Sequence, residues 1–208
     1  MGLAEDLAAV FQEVGPEVAV HKYSDDSIFH EFIDFSNESS SAFVLYDEYM
    51  SSCIFPHSTH IEEGDKIVLT LNGDVYIVLF TEDEIFENEA ISKQAIIYQC
   101  NHIISVYRRD GETRDENYDL IPNWVEVFID EDVLFVGKAS SKTLVQQPYG
   151  NFRQGENKIY ASKFLDMREN DRCILHLPDE DVPFRIKLKE VFSLPGVFEY
   201  SVEYDTRE

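Results

Sequence analysis

Basic residues are scarce in this 208-residue chain: 17 Lys and Arg stand against 41 Asp and Glu, a formal charge of −24. So negative a field repels phosphate backbones and disfavours conventional DNA binding. It leaves a surface that keeps DNA from sticking, one that imitates DNA, or a solvated face without a task. Cysteine is sparse too. Cys53, Cys100 and Cys173 are odd in number, far apart and without a C-x-x-C pair, so neither a disulfide framework nor a zinc ribbon is expected. No apolar run reaches membrane-spanning length, and acidic residues precede the first apolar positions where a secretory signal wants basic ones, so the expectation is a cytosolic chain. Asp6 stands where an N-myristoylation motif wants Ser or Thr, and the sequon Asn37-Glu38-Ser39 has no secretory route to be used. A Gly-x-Ser-x-Gly elbow, a P-loop and a dinucleotide fingerprint are all missing.

The 44% of hydrophobic residues is enough for a sizeable core. Leu3, Leu7, Val10, Phe11 and Val14 recur at helical spacing and Gly15-Pro16 ends them, predicting one short N-terminal helix that packs on its own domain or docks on a neighbouring subunit. Short β-type runs follow at 18–23, 27–35 and 41–46, separated by Ser-Asp-Asp and by a Ser-rich turn, and 47–56 reads as a strand end and a Pro-terminated loop. Gly64 to Phe80 holds two β-branched and aromatic runs around Asn72-Gly73, a tight hairpin pattern. The acidic stretch 82–89 reads as a loop or short helix, 95–108 as one long strand ending in a turn at Arg109-Asp110-Gly111, and 124–129 and 133–137 as two further strands. Asn170 to Leu177 repeats Gly64 to Leu71 position by position, with Asp65 and Asp171, Lys66 and Arg172, Leu69 and Leu175 aligned, a weak internal duplication. The last run, Gly196 to Asp205, alternates with period two. The expected fold is mainly β: small antiparallel barrels or sandwiches, with a helix in 1–16, an acidic lobe at 17–139 and a second lobe at 140–208.

Little in this pattern points to bond-making chemistry. His57-Ser58-Thr59-His60 with Glu62, Glu63 and Cys53 has metal-ligand residue types, but the spacing fits no zinc signature and a polar loop explains it better. Cys100 and His102 sit in one expected strand, where Cys100-Asn101-His102 forms no nucleophile and base pair. Carboxylate pairs such as Glu82 with Glu84 or Asp130 with Asp132 are uninformative in so acidic a chain. No catalytic, cofactor or metal residue is therefore assigned. Residues 1–149 carry 8 basic against 29 acidic residues, and 150–208 carry 9 against 12. Arg153, Arg168, Arg172, Lys187 and Lys189 give the second lobe a positive character that could face the acidic lobe of a neighbouring copy.

The order of elements resembles a group of virion proteins of the head-to-tail region of tailed bacteriophages. The likeness rests on Gly64-Asp65-Lys66 leading into Asn72-Gly73 and Tyr76, on Ala95 to His102 with its Cys-Asn-His core, on the Asp110-Gly111-Glu112 turn, and on Phe184 to Lys187 followed by Leu194 to Tyr200 and Glu203-Tyr204-Asp205. It covers residues 60–112 and 165–208. The resemblance implies a non-enzymatic neck component, made in the bacterial host cytoplasm and residing in the virion. Copies would form a homo-oligomeric ring between portal or adaptor and tail proteins, with DNA passing through unbound and without cofactor or membrane. An acidic DNA mimic and another β-rich adaptor module are the alternatives.

Overall fold

The computed structural model describes residues 2–36, 49–114, 118, 120–137, 157–190 and 195–207. The expected runs at 41–46, the Ser-rich turn and Arg153 lie outside these. Helix α1, Leu3–Val14, starts where the Gly2 amide donates to the Glu5 carboxylate at 3.1 Å and ends where Gly15 N–H donates to the Phe11 carbonyl at 2.8 Å. Phe11 is its buried anchor, and Leu3, Val10 and Val14 stay exposed.

Strands β1 (Glu17–His21), β2 (Ile28–Phe32), β3 (Asp34–Ser36), β4 (Met50–Pro56), β5 (Lys66–Leu69), β6 (Val75–Phe86) and β7 (Glu89–Gln99) form one antiparallel sheet in the order β2-β1-β5-β6-β7-β4-β3. β2 and β3 hold opposite edges yet are separated only by Ile33, so segment 28–36 joins the edges and rolls the sheet up. We call this the first barrel. A second, closed barrel contains β8 (His102–Arg114), β9 (Leu120–Val136), β10 (Asn157–Ser162), β11 (Arg172–His176), β12 (Asp181–Glu190) and β13 (Val197–Tyr204), in the order β10-β13-β12-β11-β8-β9.

The duplication is far deeper than the hairpin alignment suggested. β1, β5, β6, β7 and β4 neighbour one another in the same cyclic order as β8, β11, β12, β13 and β10, and segment 28–36 takes the place of β9. Register agrees as well: Lys66 pairs with His21 as Arg172 pairs with Tyr107, and Phe55 pairs with Lys93 as Ala161 pairs with Phe198.

Several sequence expectations need correction. The chain changes sheets at Cys100-Asn101, not near residue 139, so 102–136 belong to the second barrel. The run 95–108 is thus two strands, broken where the Asn101 side chain takes over from the ladder, its Oδ1 accepting Phe135 N–H at 2.8 Å and its Nδ2 donating to the Phe135 carbonyl at 3.0 Å. Segment 82–89 is neither loop nor helix. It completes a long hairpin whose two-residue turn, Glu87 and Asn88, has both residues at positive φ (49° and 68°). The Asn72-Gly73 connection is wider, a five-residue link in which Gly73 N–H donates to the Leu69 carbonyl and only Gly73 is left-handed. Asp110-Gly111 is a bulge inside β8 rather than a turn, 124–129 and 133–137 are one strand, and 50–56 is a strand rather than a loop.

Each barrel has its own apolar interior, and a third buried layer lies between them. Ile77, Leu79 and Tyr98 of the first barrel meet Leu134, Tyr160 and Val197 of the second. Leu79 is the bulged residue of β6, so its carbonyl leaves the ladder and accepts Gly196 N–H from the other barrel at 2.9 Å. Ser162 Oγ donates to the Gly64 carbonyl at 2.6 Å. Gly196 has to be glycine, because a Cβ there would overlap the Val78 carbonyl oxygen. The barrels are fused at backbone distance.

Candidate functional site

The turn before each hairpin is built the same way twice. Asp65 Oδ2 accepts Glu62 N–H at 2.9 Å, and Asp171 Oδ2 accepts Arg168 N–H at 2.8 Å. Lys22 and Arg108 are register-equivalent and reach the same carbonyl position: Lys22 Nζ donates to His60 O at 2.8 Å, Arg108 to Asp166 O at 3.0 Å. They differ at the carboxylate. The Arg108 fork holds both Asp171 oxygens, at 3.0 and 2.8 Å, whereas Asp65 Oδ1 is buried without a hydrogen-bond partner. Burial accordingly pushes the Asp65 carboxyl above the ordinary carboxylate range.

Polar contacts line the seam between the barrels. Tyr23 donates to Glu131 at 2.9 Å and stacks on Phe164, and Lys66 pairs with Asp132 at 3.1 Å. Burial, then the Glu131 carboxylate, pushes the Tyr23 hydroxyl well above its usual range, so it remains a donor. Beside this seam a cleft of about 410 Å³ opens in the first barrel, with Lys22, Lys93 and His60 on its walls, Phe29 and Ile61 among its apolar residues, and Asp25 and Glu62 as carboxylates. Lys22 keeps its bond to the His60 carbonyl, and both lysines have a carboxylate beyond close hydrogen-bond distance. Lys22 is 3.4 Å from Glu62, and Lys93 is 3.8 Å from Asp83.

One constellation escaped sequence reading. Ser105 Oγ lies 2.9 Å from His176 Nε2, and His176 Nδ1 lies 2.8 Å from Asp181 Oδ1. With the proton on His176 Nδ1, that nitrogen donates to the carboxylate and Nε2 accepts the Ser105 O–H, the order of a nucleophile, base and orienter. However, Ser105 is only 2% exposed and sits inside a strand. Its oxygen also accepts the Asp130 amide at 3.3 Å, at the point where the β8–β9 register shifts and Asp130 takes a positive φ of 54°. The hydroxyl thus replaces a ladder acceptor lost at the bulge, and its burial closes it to a substrate carbonyl. The residues lie 71 and 5 apart in sequence, a spacing without a recognisable signature.

Other sequence-level candidates separate. Among the described residues no group of three or more His, Cys, Asp or Glu could hold a metal. Cys53 is buried in the first barrel's core, while His60 lies on the cleft. Cys100 and His102 sit at the crossover, where burial raises the thiol pKa well above normal and His102 Nδ1 meets Asn101 Oδ1 at 2.7 Å. Glu84 accepts from Ser92 at 2.6 Å, and Asp132 is taken by Lys66. The second lobe's positive charge is neutralised locally. Arg168 and Lys189 pair with Asp166, Arg172 with Asp205, and Lys187 with Glu203. Divided at the true crossover, residues 1–101 carry 3 basic against 20 acidic residues (−17), and 102–208 carry 14 against 21 (−7).

The β8–β9 hairpin outruns its barrel. β11 pairs with β8 only over 103–107, and β10 pairs with β9 only over 134–136. The outer part forms a two-stranded arm with free edges among the described residues. Opposite Arg108 and Thr113 stand Val125 and Ile121, continuing the row that holds Val106 and Phe128 in the core. They are 44% and 45% exposed. Trp124, on the other face, is clasped by Arg172 and Arg207, whose guanidinium carbons lie 4.7 and 5.2 Å from its ring.

No family model matches the chain, and no curated protein does. Solved structures of MrkH from K. pneumonia are similar over 99% of this chain. The apo form matches at TM-score 0.24 and 9% identity, covering 85% of that chain, and the c-di-GMP complex at TM-score 0.25 and 9% identity, covering 87%. Scores this low do not establish a shared fold and carry no functional argument.

Proposed function

We propose that the chain is a non-catalytic adaptor that works by fitting against other protein subunits, with the β8–β9 arm as its docking element. The observation that carries this reading is the core-facing row of β9, which continues past the end of its barrel and presents Val125 and Ile121, with Leu120 beside them, on strands whose edges pair with nothing else among the described residues. An apolar row on a free β edge suits strand addition or face-on packing by a partner. Close backbone contact between the barrels supports a rigid spacer role. The neck-ring form of the reading rests on motif order in the sequence, and two of those motifs, Cys100-Asn101-His102 and Asp110-Gly111, occupy a barrel crossover and a bulge. In that form the −17 of residues 1–101 would face the passing DNA and repel it.

Sedimentation velocity and negative-stain imaging test the proposal, on the chain alone and mixed with portal-containing particles. Rings or particle binding are expected, abolished by the double substitution Ile121→Lys and Val125→Lys without loss of thermal stability. A chain that remains a monomer and binds no particle, or whose assembly ignores both substitutions, overturns it.

A further inference from the structure

Comparing the two barrels position by position isolates the cleft beside Lys22. In the second barrel the corresponding space is filled. Leu165 is 2% exposed, Tyr200 is fully buried with its hydroxyl donating to the Leu165 carbonyl at 2.8 Å, and Phe198 packs against the same core. Register places Lys93 where Phe198 stands and Ala95 where Tyr200 stands, since Phe55 and Cys53 face the first pair as Ala161 and Ile159 face the second. Thr59 replaces Leu165, each closing the same turn onto the last residue of the preceding strand. Two large apolar side chains have thus become Thr59 and Lys93, and both line the open cleft of about 410 Å³.

Charge is concentrated at the same place. Residues 1–101 contain only three basic residues, Lys22, Lys66 and Lys93. Lys22 and Lys93 line this cleft, and Lys22 with Lys66 lines an adjoining one of about 150 Å³. The Lys22 and Lys93 side chains are 11% and 22% exposed, so solvent screens them less than surface lysines.

We propose that this cleft binds a small phosphorylated molecule carrying hydroxyl groups, of the size of a sugar phosphate or mononucleotide. Lys22 and Lys93 present the cationic side to the phosphate, and the His60 ring offers a hydrogen-bonding nitrogen beside them. Asp25 and Glu62, which would repel a bare polyanion, accept hydrogen bonds from the hydroxyls, and Phe29 offers an apolar face. This site is independent of the arm and stands whether or not the docking reading holds.

Titration calorimetry of the full chain with ribose 5-phosphate, AMP and adenosine tests it. Saturable binding of at least one phosphorylated probe is expected, with adenosine about tenfold weaker or worse, a factor equal to one charge-assisted contact. Lys93→Gln, which keeps the space and removes the charge, lowers affinity by a similar factor. Lys93→Phe plugs the cleft with the residue the sister barrel has at that position and abolishes binding, and it leaves in place Thr59, which donates to the Glu31 carboxylate at 2.6 Å. Absence of saturable heat with both phosphorylated probes, adenosine binding as well as AMP, or undiminished binding in the plugged variant overturns the proposal.

Discussion

Lys22→Arg is expected to stabilise the protein by repairing the first barrel's turn with the second barrel's chemistry. Lysine offers a single ammonium, which reaches His60 O and leaves Asp65 Oδ1 unpartnered. The register-equivalent Arg108 satisfies the carbonyl and both carboxylate oxygens at once. Guanidinium geometry matches a carboxylate in a way an ammonium does not. A buried polar atom left unmade costs about 1–3 kcal/mol. The weak Lys22–Glu62 pair that would be lost is worth about 0–1 kcal/mol, leaving a net gain of about 1 kcal/mol. For a chain of this length that is a rise of about 2–4 °C in thermal midpoint. Calorimetry and urea unfolding measure it, with Arg108→Lys as the mirror experiment, expected to lower stability by about 1–3 kcal/mol because it orphans an Asp171 oxygen. A lowered midpoint for Lys22→Arg together with a neutral Arg108→Lys would refute the equivalence of the two turns.

The same logic gives opposite signs for one substitution. Asp65→Asn removes a buried, incompletely paired charge and is expected to be neutral or stabilising at neutral pH, whereas Asp171→Asn strands Arg108 and costs about 3 kcal/mol, both read from urea midpoints. Gly196→Ala forces a Cβ into the Val78 carbonyl and to 2.8 Å from the Gly64 amide. A loss of about 3 kcal/mol is expected, with the barrel seam opening first in hydrogen exchange. Burial would raise the Asp205 carboxyl, but bonds from Arg207 and Arg172 hold it well below the usual carboxylate range. A depressed carboxyl stabilises the fold fully above about pH 4, its unfolded value, and loses that contribution as pH falls through the folded value. The stability gap between wild type and Asp205→Asn should therefore be widest at neutral pH and close on acidification.

Local sequence carried the pieces whose signals are short-range. Helix α1 is legible from apolar spacing closed by Gly15-Pro16, and both hairpins from dense β-branched runs. The repeated Asp65 and Asp171 mark the turns that open them, because a buried aspartate capping its own turn makes the turn-closing bond to a residue three positions away. The acidic run 82–89 misleads because its strand character comes from pairing with β7 rather than from composition. The crossover at Cys100-Asn101 is hidden between two equally apolar runs, and its sign is an asparagine whose partner, Phe135, lies 34 residues away.

Composition and pattern by themselves determined a strand-rich chain with one helix, duplicated hairpins and an acidic surface, since propensity, period and charge are properties of neighbouring residues. Only the tertiary structure decided that two whole barrels are repeated and fused through a shared layer. It alone brought Ser105, His176 and Asp181 together and buried the Ser105 hydroxyl. It alone revealed that Thr59 and Lys93 line a cleft at positions where Leu165 and Phe198 of the sister barrel pack against its core. Each of these depends on which residues stand opposite one another across a ladder, and register in a closed sheet is set by long-range pairing that no local window contains.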